Sequence, residues 1–276
     1  VIRDANIFVG LSAFFINSKI IFREANTMDA IVAMPTIKQD LYKSLIRLAY
    51  RKADKIIANS DDTKKDLIAN KIAIDTQCHV VGNPVLPPNI EMPMLEKVSH
   101  EWFEDESIKT ILNVGRLHKQ KNQTLLLNAF ANTLRQDERL RLIILGEGKE
   151  YDSLMSLAQN LQIVEYMQII KFQANPHPCY KNADLFVLSS SWEGFGNVIV
   201  EAMACETPVV CIDCSGGPKM ILNSGEFGDL VPVDDVGKLA NAIVSNIANV
   251  DKERILKAKN RAFEFSVSSM GKRYLN

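Results

Sequence analysis

From residue 109 onward, short apolar runs alternate with segments whose apolar residues recur every three or four positions. Runs that are apolar at every position suit strands buried on both faces, as in a parallel sheet with helices above and below it. The predicted strands are TILNV (110–114), LRLIIL (140–145), MQIIKF (167–172), LFVLSS (185–190), PVVCI (208–212) and DLVPV (229–233). Helical spacing covers 124–136, 151–162, 178–183, 197–206 and 218–224, so the pattern predicts a doubly wound α/β domain. Upstream, KIIFREAN (19–26) and ADKIIANS (53–60) read as two more strands, with helices over 40–53 and 63–70. The apolar stretch 5–22 is split by Asn17, Ser18 and Lys19 into a short helix and a strand. VVGNPVLPPNIEMPM (80–94), with four prolines, breaks the alternation as a linker does. One α/β domain therefore lies before about residue 85 and a second over 95 to about 260, the first having too few strands for a complete sheet.

Composition narrows the chemistry. With 276 residues the chain can bury two ordinary cores, and 32 Lys plus Arg against 33 Asp plus Glu leave no overall basic field for nucleic acid. The five cysteines, Cys78, Cys179, Cys205, Cys211 and Cys214, sit mostly in apolar runs and suit a reducing compartment. Cys211 and Cys214 form a CxxC, but no second pair exists and His79, His100, His118 and His177 lie at no ligand spacing from it, so buried thiols are the better reading. No run of about 18 apolar residues is present to span a bilayer. The chain begins at Val1, in apolar material and without a signal-peptide pattern, which is the expectation for a fragment.

In open parallel sheets ligands bind beyond the carboxyl ends of the strands. After strand 110–114, VGRLHKQKN brings Arg116, His118, Lys119 and Lys121 together behind Gly115. Such a loop ahead of a helix suits a diphosphate, and a solvated charged loop fits the spacing equally well. Gly146 and Gly148 in LGEGKE do not make GxGxxG, and no GxxxxGK[ST] occurs, so a tight turn is expected there. SSSWEGFGNVIVEAMAC (189–205) sets Glu193, Gly194 and Gly196 between a strand and a helix. With Asn197 as N-cap, Glu201 lies about 40° from it around the helix, away from Val198, Ile199, Ala202 and Met203. Free amides near Asn197 and Val198 would meet an anion, and Glu201 would hold ribose hydroxyls. CSGGPKMI (214–221) adds a Gly-rich turn whose Pro218 fits a first helical position; turn chemistry accounts for it as well as ligand contact does.

Together, NVGRLHKQKN, ADLFVLSSSWEGFGNVIVEAMACETPVV and GDLVPVDD, in this order, closely resemble the donor-binding half of retaining GT-B glycosyltransferases of family four. KIIFREAN and ADKIIANSDDTKKDL resemble the later part of that family's N-terminal domain, and RAFEFSVSSMGKRYL its closing helix. The resemblance implies an α/β GT-B fold, two Rossmann-like domains facing a cleft with the first incomplete. It divides the chain into 1–88 on the acceptor side, 89–260 for the nucleotide-sugar, and a helix over 261–276 that returns to the first domain. It implies Arg116, Lys121 and Glu193 as catalytic residues, the two cations neutralising the donor diphosphate and Glu193 lying near the transferring sugar. Substrate contacts would come from Gly115, Phe172 at the base pocket, Phe195, Gly196, Asn197, Val198 and Glu201. No metal or cofactor is expected, and no DxD triplet follows an apolar strand.

The implied reaction transfers a hexose or N-acetylhexosamine from a UDP-sugar, with retention, to a lipid-linked or other saccharide acceptor in lipopolysaccharide or O-antigen biosynthesis. Where relatives carry a histidine after RE this chain has Ala25, which leaves a base role there unfilled. The segment 38–55 places Lys38, Lys43, Arg47, Arg51, Lys52 and Lys55 among leucines, a pattern shared by peripheral membrane helices and by solvated helices packed on their own sheet. The expectation is a peripheral enzyme at the cytoplasmic face of the inner membrane. Two alternatives stand beside it: a nucleotide-sugar epimerase of GT-B architecture, and a non-catalytic nucleotide-sugar binding fragment.

Overall fold

The computed structural model of the chain describes residues 2–15, 18–27, 36–90, 94, 96, 98 and 100–275. Asn17, expected to help break the first apolar stretch, and residues 91–93 of the Pro-rich connection lie outside the described residues. The first lobe contains α1 (Ile2–Ser12), β1 (Ile21–Glu24), α2 (Thr36–Tyr50), β2 (Lys55–Ala58), α3 (Asp61–Ala69) and β3 (Cys78–Val80). Its strands form a parallel sheet in the order β1-β2-β3. The third strand was not foreseen, because the three residues Cys78 to Val80 carry no periodicity to read.

The second lobe begins with α4 (Glu101–Glu104), β4 (Lys109–Val114), α5 (Gln123–Leu134), β5 (Leu140–Leu145), α6 (Tyr151–Asn160), β6 (Met167–Ile170), α7 (His177–Asn182) and β7 (Leu185–Leu188). It continues with α8 (Asn197–Ala204), β8 (Val209–Ile212), α9 (Pro218–Ile221), β9 (Asp229–Val231), α10 (Val236–Ala248), α11 (Lys252–Phe263) and α12 (Val267–Leu275). The parallel sheet has the order β6-β5-β4-β7-β8-β9. Every residue of β7 is 1% exposed or less, which is why that run could be apolar throughout. Ile199, Val200, Ala202 and Met203 of α8 are fully buried in the cluster that covers one sheet face, and α5 and α10 contribute to the cluster on the other.

Several element boundaries differ from those read in the sequence. LFVLSS stops at Leu188, and beyond it the Ser189 hydroxyl donates to the Lys121 carbonyl (2.8 Å) and Ser190 donates to Glu193 (2.6 Å). Helix α8 is capped by Gly196 at φ 93°, not by Asn197, which is its first residue. The basic segment 38–55 is not one helix: α2 ends at Tyr50, and Lys55 begins β2. The closing segment 261–276 is likewise divided, its start completing α11 before a turn leads into α12. In that turn Phe265 is 3% exposed, and its carbonyl accepts from the amides of Val85 and Leu86 (2.8 and 3.3 Å). The Leu86 carbonyl accepts in turn from Val267 (2.9 Å), so the two passages of the chain between the lobes run side by side. All five cysteines are free and buried, and burial pushes the Cys214 thiol up to about 12.

Candidate active site

Strand order reverses between β4 and β7: the chain winds outward through β5 and β6, then returns to β7 on the other side of β4. Loops that leave such neighbouring strands in opposite directions open a crevice at their carboxyl ends. Here the loop after β4 and the loop after β7 are fastened together. The Ser191 amide donates to the Gln120 carbonyl (2.9 Å), and the Gln120 side chain donates to the Trp192 carbonyl (2.9 Å). Lys121 Nζ donates to Glu193 Oε1 (2.6 Å). The stem of Lys121 lies over Gly115, where an added Cβ would be 3.2 Å from its Cε, so glycine leaves the room this crossing needs.

Around these loops is a cavity of about 810 Å³, within the range of small-molecule sites. Gly115, Arg116, Lys121, Phe172, Glu193, Asn197, Val198 and Glu201 all line it. Residues from three separate loops and one helix thus meet. Phe195 and Gly196 do not line it. The Phe195 ring is 3% exposed and packs edge-on to Phe265, 5.5 Å between centroids. Next in the chain after the cleft-facing Glu193 and Gly194, it turns inward to the core, so its side chain is a packing group.

Electrostatics differ from residue to residue. Arg116 is exposed in the cleft and makes no ion pair or side-chain hydrogen bond among the described residues. Lys121 spends one of its three N–H donors on Glu193 and retains two. Glu193 is 6% exposed and receives both Lys121 and Ser190 on Oε1. Glu201 accepts from the hydroxyl of the fully buried Tyr180 (3.0 Å); burial raises its pKa above the ordinary value, and Tyr180 pulls the other way. No side chain caps the first turn of α8. Asn197 instead accepts from Asn83 (2.8 Å), which accepts from Arg23 of the first lobe (2.6 Å).

The sequence reading missed some lining residues. His177 lies in the cavity with Nδ1 2.8 Å from Asn175, and burial lowers its pKa. Asn26 reaches in from the first lobe, and Gln120 and Glu147 complete the floor. A Gly-rich turn backs the site: Gly216, at φ 122°, lies so close to Glu193 that a Cβ would be 2.0 Å from its carbonyl oxygen. The Gly216 amide donates to Asp62 (3.1 Å) across the lobes. Among the described residues, no group of three or more His, Cys, Asp or Glu side chains is disposed to hold a metal ion. A smaller cavity of about 290 Å³ between Thr207, Asp229 and Arg254 lies at the amino ends of the strands, and its arginine is already spent on Asp229 (2.7 Å) and the Gly225 carbonyl (2.6 Å).

Known proteins with this arrangement share one background. The chain is 34% identical over 251 residues to the N-acetylgalactosamine-N,N'-diacetylbacillosaminyl-diphospho-undecaprenol 4-alpha-N-acetylgalactosaminyltransferase of Campylobacter jejuni, covering 90% of this chain and 66% of that one. It is 25% identical over 244 residues to the alpha-monoglucosyldiacylglycerol synthase of Streptococcus pneumoniae, covering 86% and 54%. It spans about two fifths to two thirds of the length of the curated relatives it matches. The structure of Anabaena HepE in complex with UDP superposes with a TM-score of 0.83 at 21% identity, covering 99% of this chain and 75% of that one. Staphylococcus aureus TarM gives 0.75 at 20% identity, covering 94% and 50%. The fold is GT-B. The profile of the family described as Glycosyl transferases group 1 matches residues 96–263, and the chain belongs to that family.

Proposed function

We propose that this chain carries the donor site of a retaining family-four glycosyltransferase. It moves an N-acetylhexosamine or hexose from a UDP-sugar to a lipid-linked saccharide in cell-surface polysaccharide biosynthesis. The observation that carries this reading is the meeting of the free Arg116 guanidinium, the Lys121 ammonium and the start of α8, whose cap residue offers no side chain, on one cavity. That is the charge pattern a pyrophosphate needs. The Campylobacter relative, named for transfer of N-acetylgalactosamine to a diphospho-undecaprenol glycan, makes UDP-N-acetylgalactosamine the first donor to try.

In this mechanism the bond from the sugar's anomeric carbon to the diphosphate oxygen breaks, and the acceptor hydroxyl bonds to the same face of that carbon. The electron pair goes to the diphosphate, which takes the acceptor's proton. Arg116, Lys121 and the amides of Asn197 and Val198 stabilise the negative charge as it develops, in a cleft where they are already oriented. Glu201, oriented by Tyr180, accepts from the ribose hydroxyls, and Phe172 lies beside the base. Glu193 presents Oε2 to the sugar while Oε1 is held by Lys121 and Ser190.

For the lipid-linked acceptor we propose peripheral attachment at the cytoplasmic face of the inner membrane through α2. Leu41, Leu45 and Leu48 of α2 are exposed beside Lys38, Arg51 and Lys52. No helix of the described residues is long and apolar enough to cross a membrane. The test of the site is calorimetric titration with UDP and UDP-N-acetylgalactosamine, repeated on Arg116→Ala and Glu201→Ala. Each variant is expected to lose about 1.5–3 kcal/mol of UDP affinity. Unchanged affinity in both removes the cleft as the donor site.

A further inference from the structure

We propose that Asn26 is a specificity residue for the transferring sugar, reaching across the cleft from the first lobe; the inference rests on the donor-site reading above. Among the described residues it alone represents the first lobe in the cavity, whose other lining residues begin with Val114 at the end of β4. Strand β1 ends at Glu24, and the turn that follows is pressed against the donor loop beside Glu193. A Cβ on Gly194 would lie 2.2 Å from the Ala25 carbonyl oxygen and 2.8 Å from Asn26 Oδ1.

The turn is held from behind by buried charge. Arg3 donates to Glu24 (3.1 and 2.8 Å) and also to the Asn26 carbonyl (2.6 Å), while Asn59 donates to the Ala25 carbonyl (2.9 Å). Glu24 is 2% exposed and takes a further hydrogen bond from the Tyr50 hydroxyl. The backbone of Asn26 is thus fixed, yet its side-chain amide is exposed and makes no hydrogen bond among the described residues. A primary amide offers two donors and an acceptor, a set that matches the hydroxyl or acetamido group of a sugar better than it matches a phosphate.

Position decides which part of the donor it meets. The cleft runs from the loop after β6, which carries Phe172, to the loop after β7, which carries Glu193 and Gly194. These strands are three places apart in the sheet, roughly 14 Å at the usual strand spacing. With the base at Phe172 and the diphosphate at Arg116 and Lys121, the group that arrives between Glu193 and Asn26 is the sugar. Asn26 therefore reads the hexose and not the nucleotide.

Calorimetric titration of the 276-residue chain and of Asn26→Ala with UDP and with UDP-N-acetylgalactosamine tests this. The variant is expected to bind UDP as the parent does and the nucleotide-sugar about tenfold more weakly, the size of one hydrogen bond lost at a polar site. Equal weakening for both ligands would make Asn26 a nucleotide or folding residue, and unchanged affinity for the nucleotide-sugar would remove it from the sugar subsite; either overturns the proposal. Failure of the parent chain to bind UDP at all is a separate outcome and overturns the donor-site reading on which this one stands.

Discussion

Replacing Lys121 by Met tests both the architecture of the cleft and its chemistry. Methionine keeps an aliphatic stem over Gly115 and removes the ammonium that lies 2.6 Å from Glu193. The two side chains are 14% and 7% exposed, so the carboxylate left behind has little water to turn to and, among the described residues, only the Ser190 hydroxyl as partner. Breaking a buried pair from one side costs about 3–5 kcal/mol, and the slight exposure of Lys121 puts this case near 3 kcal/mol. Removing both charges, in Lys121→Met with Glu193→Gln, leaves no orphan. The double variant should be more stable than the sum of the single losses by about 1 kcal/mol or more. Urea unfolding of the parent, both single variants and the double variant, at constant m, measures this. In parallel, Lys121→Met should weaken UDP binding by about 1.5–3 kcal/mol, roughly 10- to 150-fold. Losses that add to within about 0.5 kcal/mol would show that the pair is not coupled, and UDP affinity unchanged in Lys121→Met would refute its place at the diphosphate.

Glu201→Gln separates stability from binding. Burial raises the pKa of Glu201 in the fold, so the folded chain holds the proton more tightly than the unfolded one, and stability falls as pH rises from the ordinary value of 4.5 through the raised one. Without ligand the variant should be more stable than the parent at pH 7, with the gap closing below pH 4.5, while its UDP affinity drops; urea titrations across pH check the first point, and a gap independent of pH refutes it. Gly216→Ala, at φ 122° and with Glu193 O 2.0 Å from the new Cβ, should cost more than about 1 kcal/mol in a thermal melt and weaken UDP binding by displacing Glu193. Co-sedimentation with phosphatidylglycerol vesicles should exceed that with phosphatidylcholine, and Lys38→Glu with Arg51→Glu should reduce it by about 2 kcal/mol or more; binding indifferent to lipid charge would refute α2 as the attachment surface.

Much of the second lobe was legible because its strands are buried on both faces. Leu185–Leu188 is apolar at every step, and Leu140–Leu145 at every step but Arg141, a pattern that no other element imposes over so few residues. The basic loop at Arg116 and Lys121 and the glycine loop at Glu193 could be named from residue type alone, since charge and glycine announce themselves locally. What sequence could not supply was direction. Whether a residue of the loop 193–196 turns to the cleft or to the core depends on the partner across the lobe, and for Phe195 that partner is Phe265, far away in the chain. Asn26 was missed for the same reason: it approaches Gly194 in a turn whose carbonyls are held by Arg3 and Asn59, both distant in the chain. The capping of α8 moved by one residue because Gly196 accepts φ 93°, a geometry that costs asparagine more.

The chain passes between its lobes at Val85–Leu86 and again at Phe265–Val267, and three hydrogen bonds tie these passages to each other. A single thread would let one half swivel about any axis. Two threads bound at one spot leave a shared pivot, as a door leaf has its pin, so that any change in the width of the mouth between Asn26 and Gly194 would turn about that spot.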